Sequence, residues 1–238
     1  MQCVILAGGL ATRLRPLTER IPKALIPING RPFAAYQLAW LAREGVGDVV
    51  FCIGYLGEQL RAAIGDGRRF GLDVRYADEG KELKGTGGAL RVALDAGLLA
   101  DTFLVLYGDS YLPLSTSPVV AAFRASGRKA LMTVMRNEHR WDTSNAIYDA
   151  PLVTLYDKHC DEATRRRMRY IDYGLSILSR ALIADRISPA ERIDLASLFK
   201  DLSLARELAG YEVGERFYEV GSESGIREFT QYATQTGL

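Results

Sequence analysis

The chain has 238 residues, 48% of them hydrophobic and 25% charged, and a formal net charge of +1. That length supports a sizeable packed core, and a near-zero charge with both signs interspersed excludes a general basic field for nucleic acid. No apolar run approaches the roughly 20 residues of a membrane-spanning helix, and the N-terminus lacks the charged-then-apolar pattern of a secretory leader, so neither membrane insertion nor export is expected.

The apolar runs CVIL (3–6), DVVFCI (48–53), DVRYA (73–77), TFLVLY (102–107) and ALMTVM (130–135) read as strands covered on both faces. Between them, PFAAYQLAWLARE (32–44) reads as a helix, with Pro32 near its start and Gly45 past its end. GEQLRAAIG (57–65) and GGALRVALDAG (87–97) share its three- and four-residue apolar spacing. Residues 145–158 and 169–179 look like strands flanking a charged helical stretch at 161–169. Residues 193–210 read as helix, 211–221 as a β-hairpin and 224–235 as a closing helix. Such alternation predicts a Rossmann-like three-layer α/β/α fold, with a mostly parallel central sheet and a small β-rich elaboration in the second half. No linker or repeat divides the chain, so one domain is expected. Cys3, Cys52 and Cys160 are odd in number and form no CxxC pair. The first two sit in strand-like runs as small core residues do, and a reducing, cytoplasmic compartment is expected.

The first strand dissolves into LAGGLATRLR (6–15). The P-loop pattern fails here for want of a Lys-Ser/Thr, and the dinucleotide G-x-G-x-x-G fails because the glycines are adjacent. A bare Gly-Gly after a strand reads either as a tight turn or as a backbone opening for a ligand. Gly8 and Gly9 present no Cβ, their N–H groups can form an anion-binding nest, and Arg13 supplies a forked donor for phosphate. Ten residues on, Lys23 lies between prolines, in what reads as a stiff extended segment that aims a cation.

LAGGLATRLRPLTERIPKALIPINGRP resembles the signature of the sugar-1-phosphate nucleotidylyltransferases, L-A-G-G-x-G-T-R-L-x-P-L-T followed by P-K-x-[LM]-x-P-[IV]-x-x-[RK]-P. GTGGAL (85–90), YGDSY (107–111), LYDKH (155–159), DYGLSIL (172–178) and FYEVGS (217–222) resemble the family's later segments in the same order. The pattern is left at Ala11, where the family most often has glycine, and at Glu219, where it has aspartate. The resemblance implies transfer of a nucleotidyl group from a nucleoside triphosphate to a sugar 1-phosphate, releasing pyrophosphate. It also implies a nucleotide-binding half at 1–112 and a sugar-phosphate half at 113–238.

Carried over residue by residue, the resemblance assigns catalysis to Arg13, Lys23 and Asp109. Nucleotide binding falls to Leu6, Ala7, Gly8, Gly9, Thr12, Arg13, Glu82, Gly85, Thr86, Gly87 and Gly88. Sugar-phosphate binding falls to Asn145, Lys158, Asp172 and Gly174, and Mg²⁺ to Asp109 and Glu219. Several of these also have plainer readings: Thr86 as a helix cap, Glu82 as a solvated loop group, Lys158 as a solvated lysine at a strand end, Asn145 as a partner for backbone. A phosphate nucleophile is already an oxyanion near neutral pH, so no general base is required, which suits a chain with 2 histidines. Asp109 follows a strand, where ligands of open α/β sheets bind, and is a hard oxygen donor for Mg²⁺. The basic run 165–169 reads most simply as a solvated face and Trp40 as core, while Trp141, ahead of a sugar-site strand, is a candidate stacking platform. By length and GTGGAL the chain resembles the compact heptose-1-phosphate guanylyltransferases and N-acetylmuramate-1-phosphate uridylyltransferases, and the heptose guanylyltransferase type is the leading expectation. N-acetylmuramate 1-phosphate with UTP, phosphocholine with CTP, or a non-catalytic nucleotide- or sugar-binding regulator stand as alternatives.

Overall fold

A computed structural model of the chain describes all residues except 11–13, 81, 139 and 190. Strand β1 (Gln2–Leu6) is followed by the two-residue strands β2 (Pro27–Ile28) and β3 (Arg31–Pro32), which pair with each other. Then come α1 (Phe33–Arg43), β4 (Asp48–Ile53), α2 (Gly57–Ile64), β5 (Asp73–Asp78), α3 (Gly85–Asp95) and β6 (Thr102–Tyr107). The second half holds β7 (Ser110–Tyr111), α4 (Thr116–Ser126), β8 (Ala130–Arg136), β9 (Ala146–Asp149), β10 (Leu152–Tyr156) and the single turn α5 (Glu162–Arg165). It closes with β11 (Tyr170–Ser179), α6 (Arg180–Arg186), α7 (Leu195–Leu204), β12 (Leu208–Val213), β13 (Tyr218–Glu219) and α8 (Glu223–Thr236).

One nine-stranded sheet runs through both halves in the order β5-β4-β1-β6-β11-β8-β12-β10-β9. Side chains alternate across it. Cys3, Ile5, Val49, Phe51 and Ile53 enter a core shared with α1, α2, α4 and α8. Val4, Val50 and Cys52 enter the opposite core with α3, α6 and α7. Coverage on both faces is why these strands read as nearly continuous apolar runs.

The expectation of a mostly parallel sheet holds in part: seven of the nine strands run one way, and β11 and β10 run against them. Strands β5, β4, β1 and β6 are parallel, as are β8 and β12, but β11 runs antiparallel to β6 and β8, and β10 antiparallel to β12 and β9. The second half thus extends the sheet rather than decorating it. Strand direction matters for function, because an antiparallel β11 turns its beginning, not its end, toward the carboxyl end of β6.

Three element readings also change. Residues 145–158 form two strands, because Pro151 has no N–H for a ladder and the chain turns there. The helix at 193–210 stops at Leu204, and Leu208–Val213 becomes a strand parallel to β8. The hairpin at 211–221 does not form, since its second arm, β13, pairs with β7 instead. Among the described residues no helix is long and apolar enough to cross a membrane.

Candidate active site

Strand order reverses at β1, with β4 and β5 on one side and β6 on the other. Crevices at such a point, beyond the carboxyl ends of the strands, are where open α/β sheets bind ligands. Two cavities open there. The first, of about 290 Å³, is walled by Leu6, Ala7, Gly8 and Gly9 after β1, Lys23, Glu79 after β5, Gly85 and Thr86 at the start of α3, and Tyr107, Gly108 and Asp109 after β6. The second, of about 860 Å³, is walled by Asn145, Lys158, Asp172, Gly174, Glu219 and the outer residues Arg140, Trp141 and Arg216, and again by Tyr107 and Asp109. The cavities therefore meet at Tyr107 and Asp109.

Local chemistry explains the shape of the first wall. A methyl group on Gly8 would stand 2.6 Å from Glu79 Oε1, so glycine lets this loop pass the carboxylate without displacing it. Lys23 lies on a 3-10 turn, Lys23–Leu25, rather than in an extended segment, because Pro22 caps the turn in extended geometry and releases the chain into it. From there the ammonium donates to Asp109 Oδ2 at 2.7 Å. The Asp109 carbonyl accepts from Val220 N, and Glu219 lies opposite Ser110, so β7 and β13 bring the two proposed metal carboxylates onto neighbouring backbone.

Mg²⁺ is served by one or two carboxylates completed by substrate phosphates and water, and Asp109 with Glu219 would supply two carboxylates of that kind. Lys23 already holds one Asp109 oxygen, while Glu219 accepts from Gly221 N and from the Ser222 hydroxyl at 2.6 Å. Among the described residues no group of three or more His, Cys, Asp or Glu side chains could hold a metal. Phosphate oxygens would have to complete the shell.

In the second cavity, Asp172 is the organising group. Its Oδ2 accepts from the Tyr107 hydroxyl at 3.2 Å and the Tyr156 hydroxyl at 3.4 Å, and its Oδ1 from Gly174 N at 3.0 Å. Its own N–H donates to Asn145 Oδ1 at 2.9 Å, so Asn145 both lines the cavity and satisfies backbone. Burial raises the Asp172 pKa, opposed by Lys158 and by the bonds from Gly174 and the two hydroxyls. Burial likewise raises the Glu79 carboxyl, opposed by the Lys84 N–H, which donates to Oε2 at 2.8 Å.

Several expected contacts take other places. Arg13 and Thr12, like Ala11, lie outside the described residues. Glu82 lines a neighbouring cavity with Leu10, Tyr55 and Leu56, and the carboxylate inside the first cavity is Glu79. Gly87 and Gly88 line neither cavity: both N–H groups donate to Ile193 O, and a methyl on Gly88 would reach within 3.0 Å of Glu191 O. These glycines admit the backbone of Glu191 and Ile193. Thr86 lines the first cavity, yet its hydroxyl also accepts from Leu195 N at 2.8 Å and so caps α7. Trp40 is core, donating to Leu114 O, and Trp141 stands 48% exposed at the rim of the second cavity under the Arg216 guanidinium, 4.0 Å from its ring centroid. In the basic run, Arg166 pairs with Glu162 and Arg165 donates to Cys160 O.

Glu79, Tyr107, Tyr156, Asp194 and Arg216 are the site residues that sequence reasoning missed. Glu79 and Tyr107 stand at the carboxyl ends of β5 and β6, a position that could have flagged them. No sequence signal joins Asp194 to Thr86, whose N–H donates to its Oδ1 at 3.2 Å across 108 positions.

Residues 2–146 match the family model described as nucleotidyl transferase, and the chain belongs to that family. Over 144 residues, 57% of the chain, it is 33% identical to a UTP–glucose-1-phosphate uridylyltransferase of Synechocystis sp., of which it spans 37%. It is 28% identical over 185 residues to the D-glycero-alpha-D-manno-heptose 1-phosphate guanylyltransferase of Campylobacter jejuni, covering 78% of this chain and 79% of that one. The chain thus spans less than half the length of some curated relatives and most of others. The crystal structure of HddC from Yersinia pseudotuberculosis complexed with GMP-PN superposes with a TM-score of 0.77 at 23% identity, over 97% of this chain and 98% of that chain, a likeness of fold.

Proposed function

We propose that this chain transfers a nucleotidyl group from a nucleoside triphosphate to a sugar 1-phosphate, with a heptose 1-phosphate and GTP as the leading pair, and so makes a nucleotide sugar. The observation that carries the reading is the meeting of two cavities at Tyr107 and Asp109, one beside the phosphate-type loop and Lys23, the other beside Lys158 and a polar, carboxylate-ordered wall. Two phosphates entering from opposite sides would meet there. The match over most of both chains to the heptose enzyme of Campylobacter supports the choice of sugar and base.

The sugar phosphate is its own nucleophile, so the protein's work is alignment and charge neutralisation. Lys158 would hold the attacking phosphate from the second cavity. Lys23 would exchange its Asp109 partner for triphosphate oxygens, and Arg13 would receive the pyrophosphate. Asp109 and Glu219 would hold Mg²⁺, which neutralises charge on the α-phosphate and the leaving group. Gly8 and Gly9 would let the loop backbone approach the nucleotide.

The test is pyrophosphate release with Mg²⁺, each of the four triphosphates, and a panel of sugar 1-phosphates plus phosphocholine. Release is expected with a sugar 1-phosphate, highest for GTP with a heptose 1-phosphate. Silence across every combination would overturn the reading.

A further inference from the structure

Lys158 is held in an unusual way. Its ammonium stands 5.6 Å from the ring centroid of Tyr107 and 6.0 Å from that of Tyr156. Among the described residues no carboxylate lies within the 4.0 Å of an ion pair with it. The nearby anion, Asp172, spends Oδ2 on the hydroxyls of the same two tyrosines. One cation therefore faces two rings whose far ends converge on one carboxylate oxygen.

Each part of this cluster has a physical consequence. An aromatic face attracts an ammonium within about 6 Å without consuming its N–H donors. A hydroxyl donating to a carboxylate gains electron density, which passes into its ring and strengthens that attraction. The same two bonds, with that from Gly174 N, hold Asp172 in place, so it lends its field to Lys158 without closing a direct ion pair. Lys158 is left charged, exposed and rich in donors beside Tyr107, where the two cavities meet.

The geometry points to Tyr107 and Tyr156 as positioning residues that seat the Lys158 ammonium for the phosphate of the sugar 1-phosphate and keep Asp172 from capturing it. This inference rests on the transferase reading above and deepens it. Tyr156 lines neither cavity, so it can reach the sugar phosphate only through Lys158 and Asp172.

Tyr107→Phe and Tyr156→Phe each remove one hydroxyl while keeping the ring and nearly all of the volume. Steady-state kinetics on the purified chain, with each substrate varied in turn, should show the KM for the sugar 1-phosphate rising about three- to tenfold, as when a bond to a charged group is lost. The KM for the triphosphate and kcat should stay within about twofold, and the melting temperature should hold. In a Lys158→Ala background the same hydroxyl deletions should add nothing, because the group they position is gone. If wild type turns over and Lys158→Ala raises the KM, but neither tyrosine variant does, the seat is wrong and the transferase reading stands. Additive effects with Lys158→Ala would also overturn the seat. No turnover by wild type would overturn both.

Discussion

Replacing Gly8 and Gly9 with alanine separates the two jobs of adjacent glycines. At Gly8 the new methyl carbon would lie 2.6 Å from Glu79 Oε1, 3.3 Å from Gly54 N and 3.4 Å from Ile53 C. Ordinary contact begins at 3.4 Å, so the carboxylate must retreat by about 0.8 Å. It is not free to do so, since Lys84 N donates to its other oxygen at 2.8 Å. A hydrogen bond to a charged group contributes about 1.5–3 kcal/mol, and this half-buried one belongs at about 1.5 kcal/mol. For a chain of this length that is about 3–6 °C in melting temperature. At Gly9 nothing lies within 4 Å, so alanine should leave stability within about 0.5 kcal/mol. Its methyl would line the first cavity and raise the KM for the triphosphate. Thermal melts and steady-state kinetics of the two variants form the assay. A Gly8→Ala, Glu79→Ala double variant should melt no lower than Glu79→Ala alone, because the obstacle has gone. Equal melting of Gly8→Ala and wild type would refute the contact argument.

Lys23→Met should cut kcat by about 10²–10³, the usual cost of removing one group that stabilises transition-state charge, with the fold retained by circular dichroism; full turnover would remove Lys23 from the mechanism. Glu79→Gln should melt at or above wild type at neutral pH. The raised carboxyl pKa means that ionisation is disfavoured in the fold, so wild type regains stability as pH falls through that raised value toward the ordinary 4.5. The Gln variant's advantage should therefore shrink on acidification, and an advantage that grows would contradict the burial argument. Thiol titration of the native chain should find Cys160 reactive and Cys3 and Cys52 silent, since burial pushes both of those thiols far up while Cys160 is half-exposed; three equal rates would count against it.

Local chemistry made much of this protein legible. Strands β1, β4 and β6 announce themselves because both faces are covered and the apolar runs are nearly unbroken, while the edge strand β5 shows only an alternating version of that pattern. Gly8, Lys23 and Asp109 stand out because adjacent glycines, a lysine after proline and an aspartate after a strand each carry a chemical expectation on their own, whereas Lys158 is flagged only by family resemblance. Other features could not be read from local pattern. Strand direction in the second half depends on which edge of β6 is free, and no residue of β11 states it. The antiparallel placement of β11 brings Asp172 against Tyr107, 65 positions away, and fills with one carboxylate the space between two tyrosines. The same holds for Gly87 and Gly88, whose missing side chains serve a segment about a hundred residues further on, at Glu191 and Ile193. The sequence by itself determined which groups exist and which backbone turns are possible, because those follow from side-chain type and short spacing. Only the tertiary structure decided which groups share a cavity, because pairings across 65 or 108 positions are chosen by packing the two cores together and leave no periodic trace in the chain.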